Sequence, residues 1–103
     1  MAKVRTENSV RLQSPSCRQI VAARVALNWS QKDLSRIAGV GITSVRRLEA
    51  LGPEEEPMDH LRPATVRRIV QALERAGVTF QYDNEVERLG LSFFRIPIPP
   101  EQF

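Results

Sequence analysis

Residues 24–49 read RVALNWSQKDLSRIAGVGITSVRRLE, two short amphipathic stretches joined by a segment that holds two glycines. Ser30 is a favourable N-cap, and Asp33 three positions on resembles the second member of a capping box. Leu34, Ile37 and Ala38 then recur at the spacing of one buried helical face, so a short helix is expected over Gln31–Ala38. Gly39 stands where a helix ending needs a residue free to enter the left-handed region, and Gly41 adds a second pliable position. A sharp turn is expected there. Beyond it Ile42, Val45 and Leu48 repeat at i, i+3 and i+6, which buries one side of a second helix and turns Thr43, Ser44, Arg46 and Arg47 outward.

A helix carrying that ridge has the size and chemistry of the major groove of duplex DNA, where hydroxyls meet several base edges and arginine clamps guanine or a phosphate. Two arginines and two hydroxyls also suit any solvated helix face, and it is the glycine turn at this spacing that favours the first reading. In the preceding segment Ile20, Ala23 and Leu27 form an apolar series, and Arg24, beside Ala23, points partly toward the interior. A charge placed there needs a partner. Glu49 follows Val45 by four residues and adjoins Leu48, so it tilts toward the buried side of its own helix. An Arg24–Glu49 ion pair between the two helices satisfies both groups; the alternative is that each side chain reaches water separately.

Taken together, Arg24 to Glu49 resembles the helix-turn-helix core of the Cro/repressor (Xre-like) family of DNA-binding proteins, closely over residues 24–49 and more loosely over residues 16–77. The resemblance implies a mainly α chain with a four-to-five-helix lambda-repressor-like domain. It matches the family's turn glycine to Gly39, its apolar core positions to Val40, Val45 and Leu48, and its linking arginine–glutamate pair to Arg24 and Glu49. It implies that Gln31, first residue of the motif, contacts the phosphate backbone and supports the recognition helix, with Lys32 beside it as a further DNA contact. Residues 42–50 become that recognition helix, with Ile42, Thr43, Ser44, Arg46 and Arg47 at the base-reading positions. The chain departs from the family twice. Ser35 replaces the alanine preferred for close packing, and Gly41 replaces a serine or threonine N-cap, at a cost of only a few tenths of a kcal/mol.

At 103 residues the chain has the length of one domain with a modest core, and no room is expected for a second, catalytic domain. The net charge of +3 is unevenly spread: residues 18–49 carry six cations against two anions, whereas residues 50–60 hold Glu54, Glu55, Glu56 and Asp59 with no cation. A basic face suits DNA. The acidic loop is expected to point away from it, or toward a partner. Cys17 is the only cysteine, which excludes an intramolecular disulfide and a structural zinc site and suggests a reducing, cytoplasmic setting. His60 is the only histidine and lacks a nucleophile or ligand cluster, so its expected state is a solvated loop residue. No enzyme activity, cofactor or metal is expected. The chain shows no signal-peptide pattern, and no apolar run approaches the roughly 18 residues a membrane helix needs.

Residues 1–13 are polar, with Lys3, Arg5 and Arg11 against Glu7, and read as a flexible arm that tracks a DNA groove or simply frays in solvent. Ser16 and Gln19, after Pro15, have capping-box spacing and open a helix expected to run to about Leu27. Asn28 tolerates the left-handed conformation at its end, and Trp29 is expected in the core. Residues 50–62, punctuated by Gly52, Pro53 and Pro57, read as a loop. Pro63 opens a closing helix with a buried stripe of Val66, Ile69, Val70 and Leu73, and Gly77 ends it. Its outward Arg67, Arg68 and Arg75 suit flanking phosphates or plain solvation. The helix-turn-helix domain thus spans 14–77.

Val78, Phe80 and Tyr82 then alternate, Asp83-Asn84 signals a turn, and Leu89, Leu91 and Phe93 alternate again, which predicts a C-terminal β-hairpin over 78–94. A lone two-stranded hairpin is marginal, so it is expected to pack on the helices or to build a homodimer interface. The tail 95–103, with Pro97, Pro99 and Pro100, is expected to be extended. Two functions follow as expectations. One is a homodimeric transcriptional regulator, a repressor, bound to double-stranded DNA. The other is an antitoxin-like module of a toxin–antitoxin pair, in which the hairpin, acidic loop or tail holds a partner protein and DNA binding is secondary.

Overall fold

Ser16 Oγ accepts from the Gln19 amide at 3.3 Å while Gln19 Oε1 accepts from the Ser16 amide at 3.0 Å, a reciprocal cap that opens α1 (Cys17–Ala26). Asn28, at φ 62, turns the chain out of that helix. Ser30 and Asp33 repeat the device at the start of α2 (Gln31–Ala38), with both bonds at 2.8–2.9 Å. Gly39 ends α2 at φ 71, and Gly41 then leads into α3 (Ile42–Glu49) in extended backbone, without a side-chain cap. The expected helix 42–50 is one residue shorter, because Ala50 is its C-cap. Pro63 occupies the first turn of α4 (Pro63–Arg75), where its missing N–H costs nothing, and Gly77 leaves the helix at φ 109.

The computed structural model describes residues 14–81, 90–93 and 100–102, which are mainly helical. β1 (Val78–Gln81) pairs antiparallel with β2 (Gly90–Phe93) in the register Val78 opposite Phe93 and Gln81 opposite Gly90. The core lies where the helices meet: α2 packs on α3 and α4, α1 on α3, and β1 against α4. Ile20, Trp29, Leu34, Val45, Leu48, Ile69 and Leu73 are buried there, each large aliphatic contributing about 1.5–3 kcal/mol through lost apolar exposure. β1 alternates as its pattern requires, Val78 and Phe80 inward and Thr79 and Gln81 outward. The arm 1–13, Tyr82, the Asp83-Asn84 turn and Leu89 lie outside the described residues.

One expectation is corrected, and one residue departs from its surroundings. Residues 100–102 of the tail form a 3-10 turn instead of extended chain. Proline's fixed φ fits either conformation, so the neighbouring contacts decide, and Arg36 Nη2 donates to the Pro100 carbonyl at 2.9 Å. In the loop after α3, Glu54, Glu55 and Asp59 are exposed, as a solvated charge run would be, and Glu56 alone departs. Pro57–Asp59 make a 3-10 turn with Pro57 buried, and Glu56 is half-buried with no partner for Oε1 among the described residues.

Burial, and then the charge of Asp59, push the Glu56 carboxyl above the usual glutamate range. A raised folded-state value means that the native protein holds this proton more tightly than the unfolded chain. Its contribution is therefore fully present at low pH and is lost as pH rises through the raised value. Glu56→Gln is expected to raise the thermal midpoint at about pH 7 and to leave it unchanged at about pH 4, where both side chains are neutral. Thermal melts at the two pH values check this, and equal shifts at both would refute it.

Candidate nucleic-acid interface

α3 presents its cationic edge because its other edge is anchored. Val45 and Leu48 are sealed in the core, while Thr43, Arg46 and Arg47 are exposed. Ser44, expected outward with them, is half-buried, as is Ile42. Ser44 lies four residues before Leu48, on the margin of the buried stripe, which explains the difference.

The turn before the helix and the helix's far end are each held by a bond from a neighbouring element. Before its first turn, Ser35 Oγ donates to the Val40 carbonyl at 2.6 Å and pins the connection from α2. The serine that departs from the resembled pattern thus acts as a strut. At the far end Cys17 Sγ donates to the Leu48 carbonyl at 2.9 Å. Burial, followed by the Glu49 charge, raises the Cys17 thiol pKa, which keeps it protonated and able to donate.

Arg24, Gln31 and Glu49 are brought together across three helices. Arg24 grips the carboxylate with two bonds, Nε to Oε2 at 2.7 Å and Nη2 to Oε1 at 3.0 Å, and Nη1 reaches the Trp29 carbonyl at 2.7 Å. Gln31 Nε2 adds a third bond to Glu49 Oε1 at 2.9 Å. The paired side chains are only 15% and 8% exposed, so the two do not reach water separately. A planar guanidinium matched to a carboxylate is the strong form of charged hydrogen bond, and the additional amide fills another lone pair. Gln31 is therefore tied to α3 through Glu49, a contact the sequence alone did not specify.

The remaining cations fall into two groups. Arg18 pairs with Glu54 at 3.0 Å, Arg36 holds the Pro100 carbonyl, and Arg68 Nη1 reaches the Gly39 carbonyl at 3.5 Å. The side chains of Lys32, Arg46 and Arg47 have no hydrogen bond or ion pair among the described residues, and neither do those of Arg62, the N-cap of α4, and Arg67 within it. Three uncommitted cations thus lie on α2 and α3. Arg18 offsets one charge of the acidic loop by facing Glu54, and Glu55 lies in hydrogen-bond contact with exposed His60 Nε2 at 2.9 Å.

Among the described residues no group of three or more His, Cys, Asp or Glu side chains is placed to hold a metal ion. No helix among them is long and apolar enough to cross a membrane. Comparison with protein-family models, with curated proteins and with solved structures gave no match.

Proposed function

We propose that this chain is a sequence-specific DNA-binding transcriptional regulator, a repressor of the Cro/repressor type, that acts as a homodimer. The observation that carries the proposal is a short helix tied to α1 and α2 through Glu49, whose outer edge offers Thr43, Arg46 and Arg47 with no competing partner among the described residues. A pre-formed helix has little backbone entropy left to lose on docking, its free guanidinium groups break no ion pair in order to bind, and it fits the major groove.

In this function residues 42–50 enter the groove. Arg46 and Arg47 meet guanine edges or phosphates, Thr43 and Ser44 supply hydroxyl contacts, and Ile42 touches a thymine methyl. Lys32 and the second amide N–H of Gln31 meet the backbone. The paired strands Val78–Gln81 and Gly90–Phe93 join two copies, placing the paired recognition helices about one DNA turn apart. The protein works in the cytoplasm.

Selection of duplexes from a random-sequence pool, followed by binding measured across salt concentrations, tests the proposal. The expected result is enrichment of two-fold-related half-sites, with affinity that falls linearly on a log–log plot against salt. Recovery of sequences no different from the starting pool would defeat it.

A further inference from the structure

Among the tertiary hydrogen bonds of the first turn of α1, two reach the ends of regular elements. Cys17 Sγ donates to the Leu48 carbonyl, in the last turn of α3, at 2.9 Å. Two residues on, Gln19 Nε2 donates to the carbonyl of Gln81, the last residue of β1, at 3.0 Å. Cys17 and Gln19 are 2% and 3% exposed, so when either bond is broken its donor is left without water to take the acceptor's place. The Gln19 amide is oriented from both sides: its oxygen accepts from the Ser16 amide in the α1 cap, and its nitrogen reaches the strand. A flip would forfeit both contacts. One helical turn is therefore fastened to the end of α3 and to the end of β1.

We propose that Cys17 and Gln19 are positioning residues that hold α3 in register with the strand pair, and that in the dimer they set which separation of two DNA half-sites is accepted. The proposal rests on the function given above, in which α3 reads DNA and the strands join two copies. Each added base pair moves a half-site by about 3.4 Å and roughly 35° around the duplex axis. A stiff connection between reader and interface makes a dimer sensitive to such a step. A loose connection averages over it. Neither bond touches DNA, and Glu49 still ties α3 to α1 and α2 when either is broken, so recognition of a single half-site does not depend on them.

The test uses the full chain and two readouts. Spin labels on Thr79→Cys and Arg47→Cys report the distance between β1 and α3 without any DNA, while Cys17 stays buried and unlabelled. A narrow distribution is expected for the otherwise unaltered chain. It should widen about twofold in Gln19→Met, which loses the donor, and in Gln19→Glu, which keeps the oxygen for Ser16 but sets a carboxylate against the Gln81 carbonyl.

Separately, unlabelled proteins are titrated with duplexes carrying two selected half-sites at spacings that differ by single base pairs. The wild type should lose about tenfold in affinity per added or removed base pair, and Gln19→Met and Cys17→Ala should differ less than about threefold across the same series. All three should bind one isolated half-site within about twofold of each other, and Cys17→Ser, which keeps a donor, should restore the wild-type profile. Variants are compared where their helical circular dichroism matches the wild type. A sharp wild-type spacing preference that Gln19→Met and Cys17→Ala retain, with unchanged distance widths, overturns the positioning role alone. A wild type with a narrow distance but no spacing preference overturns the dimeric DNA-reading function and the inference with it.

Discussion

Glu49→Ala is expected to lower the unfolding free energy by about 3–5 kcal/mol, because it leaves the Arg24 guanidinium largely buried with no countercharge. The carboxylate takes two bonds from Arg24 and one from Gln31, so the substitution orphans donors on two other helices at once. The size of the effect reflects the burial. An exposed pair such as Arg18–Glu54, with side chains 57% and 80% exposed, contributes about 0–1 kcal/mol. The intact Arg24–Glu49 pair need not be worth 3–5 kcal/mol itself. Replacing both partners by apolar residues, Arg24→Met with Glu49→Leu, should cost much less than Glu49→Ala, since no charge is then stranded. Urea unfolding of the single and double variants measures both quantities. Additive losses in the cycle would show that the two side chains act independently and would refute the expectation.

The same residues show what was legible in the sequence. Arg24 and Glu49 each sit beside an apolar position on its own helix, and that juxtaposition pointed to an interhelical pair without any structure. The caps were legible for a related reason. Ser16 with Gln19 and Ser30 with Asp33 satisfy backbone donors within their own turn, so spacing alone contains the geometry. Asn28 and Gly39 marked their left-handed turns by residue type.

The bonds from Cys17 to Leu48, Ser35 to Val40, Gln19 to Gln81 and Arg36 to Pro100 were not legible. Each ends on a backbone carbonyl, which every residue possesses, so no residue type in the sequence marks the acceptor. Arg36 also shows why the tail expectation fails at residues 100–102, the part of the tail described: an arginine–carbonyl contact to Pro100 accompanies a turn there. Ser44 shows the limit of helical periodicity, which sorts faces well and margins poorly. Glu56 was misplaced because a run of like charges reads as solvated, whereas the buried Pro57 beside it draws the segment inward.

Arg46→Ala and Arg47→Ala are expected to have the largest effect on function. A bidentate contact with guanine is worth about 1–3 kcal/mol, so loss of an arginine that reads a base should weaken binding to the selected site by about 10- to 100-fold. The two side chains are neighbours on α3 and project about 100° apart, so they need not share a role. The one that reads a base will, when removed, relax the preference at one position of the half-site. The one that meets a phosphate will weaken all sequences alike and reduce the salt slope by about one. Because both are exposed and unpaired among the described residues, the fold should hardly respond, with stability changes within about 0.5 kcal/mol. Thr43→Ala provides a smaller step on the same edge.

This separation of stability from binding distinguishes the α3 ridge from an ordinary solvated face. A solvated face also tolerates the substitutions, but it loses no specificity when they are made. Titrating each variant with the selected duplex and with random DNA, at several salt concentrations, resolves the two. If Arg46→Ala and Arg47→Ala both leave the ratio of selected to random affinity unchanged, the ridge does not read DNA. The uncommitted cations on α2 and α3 would then be surface charge alone.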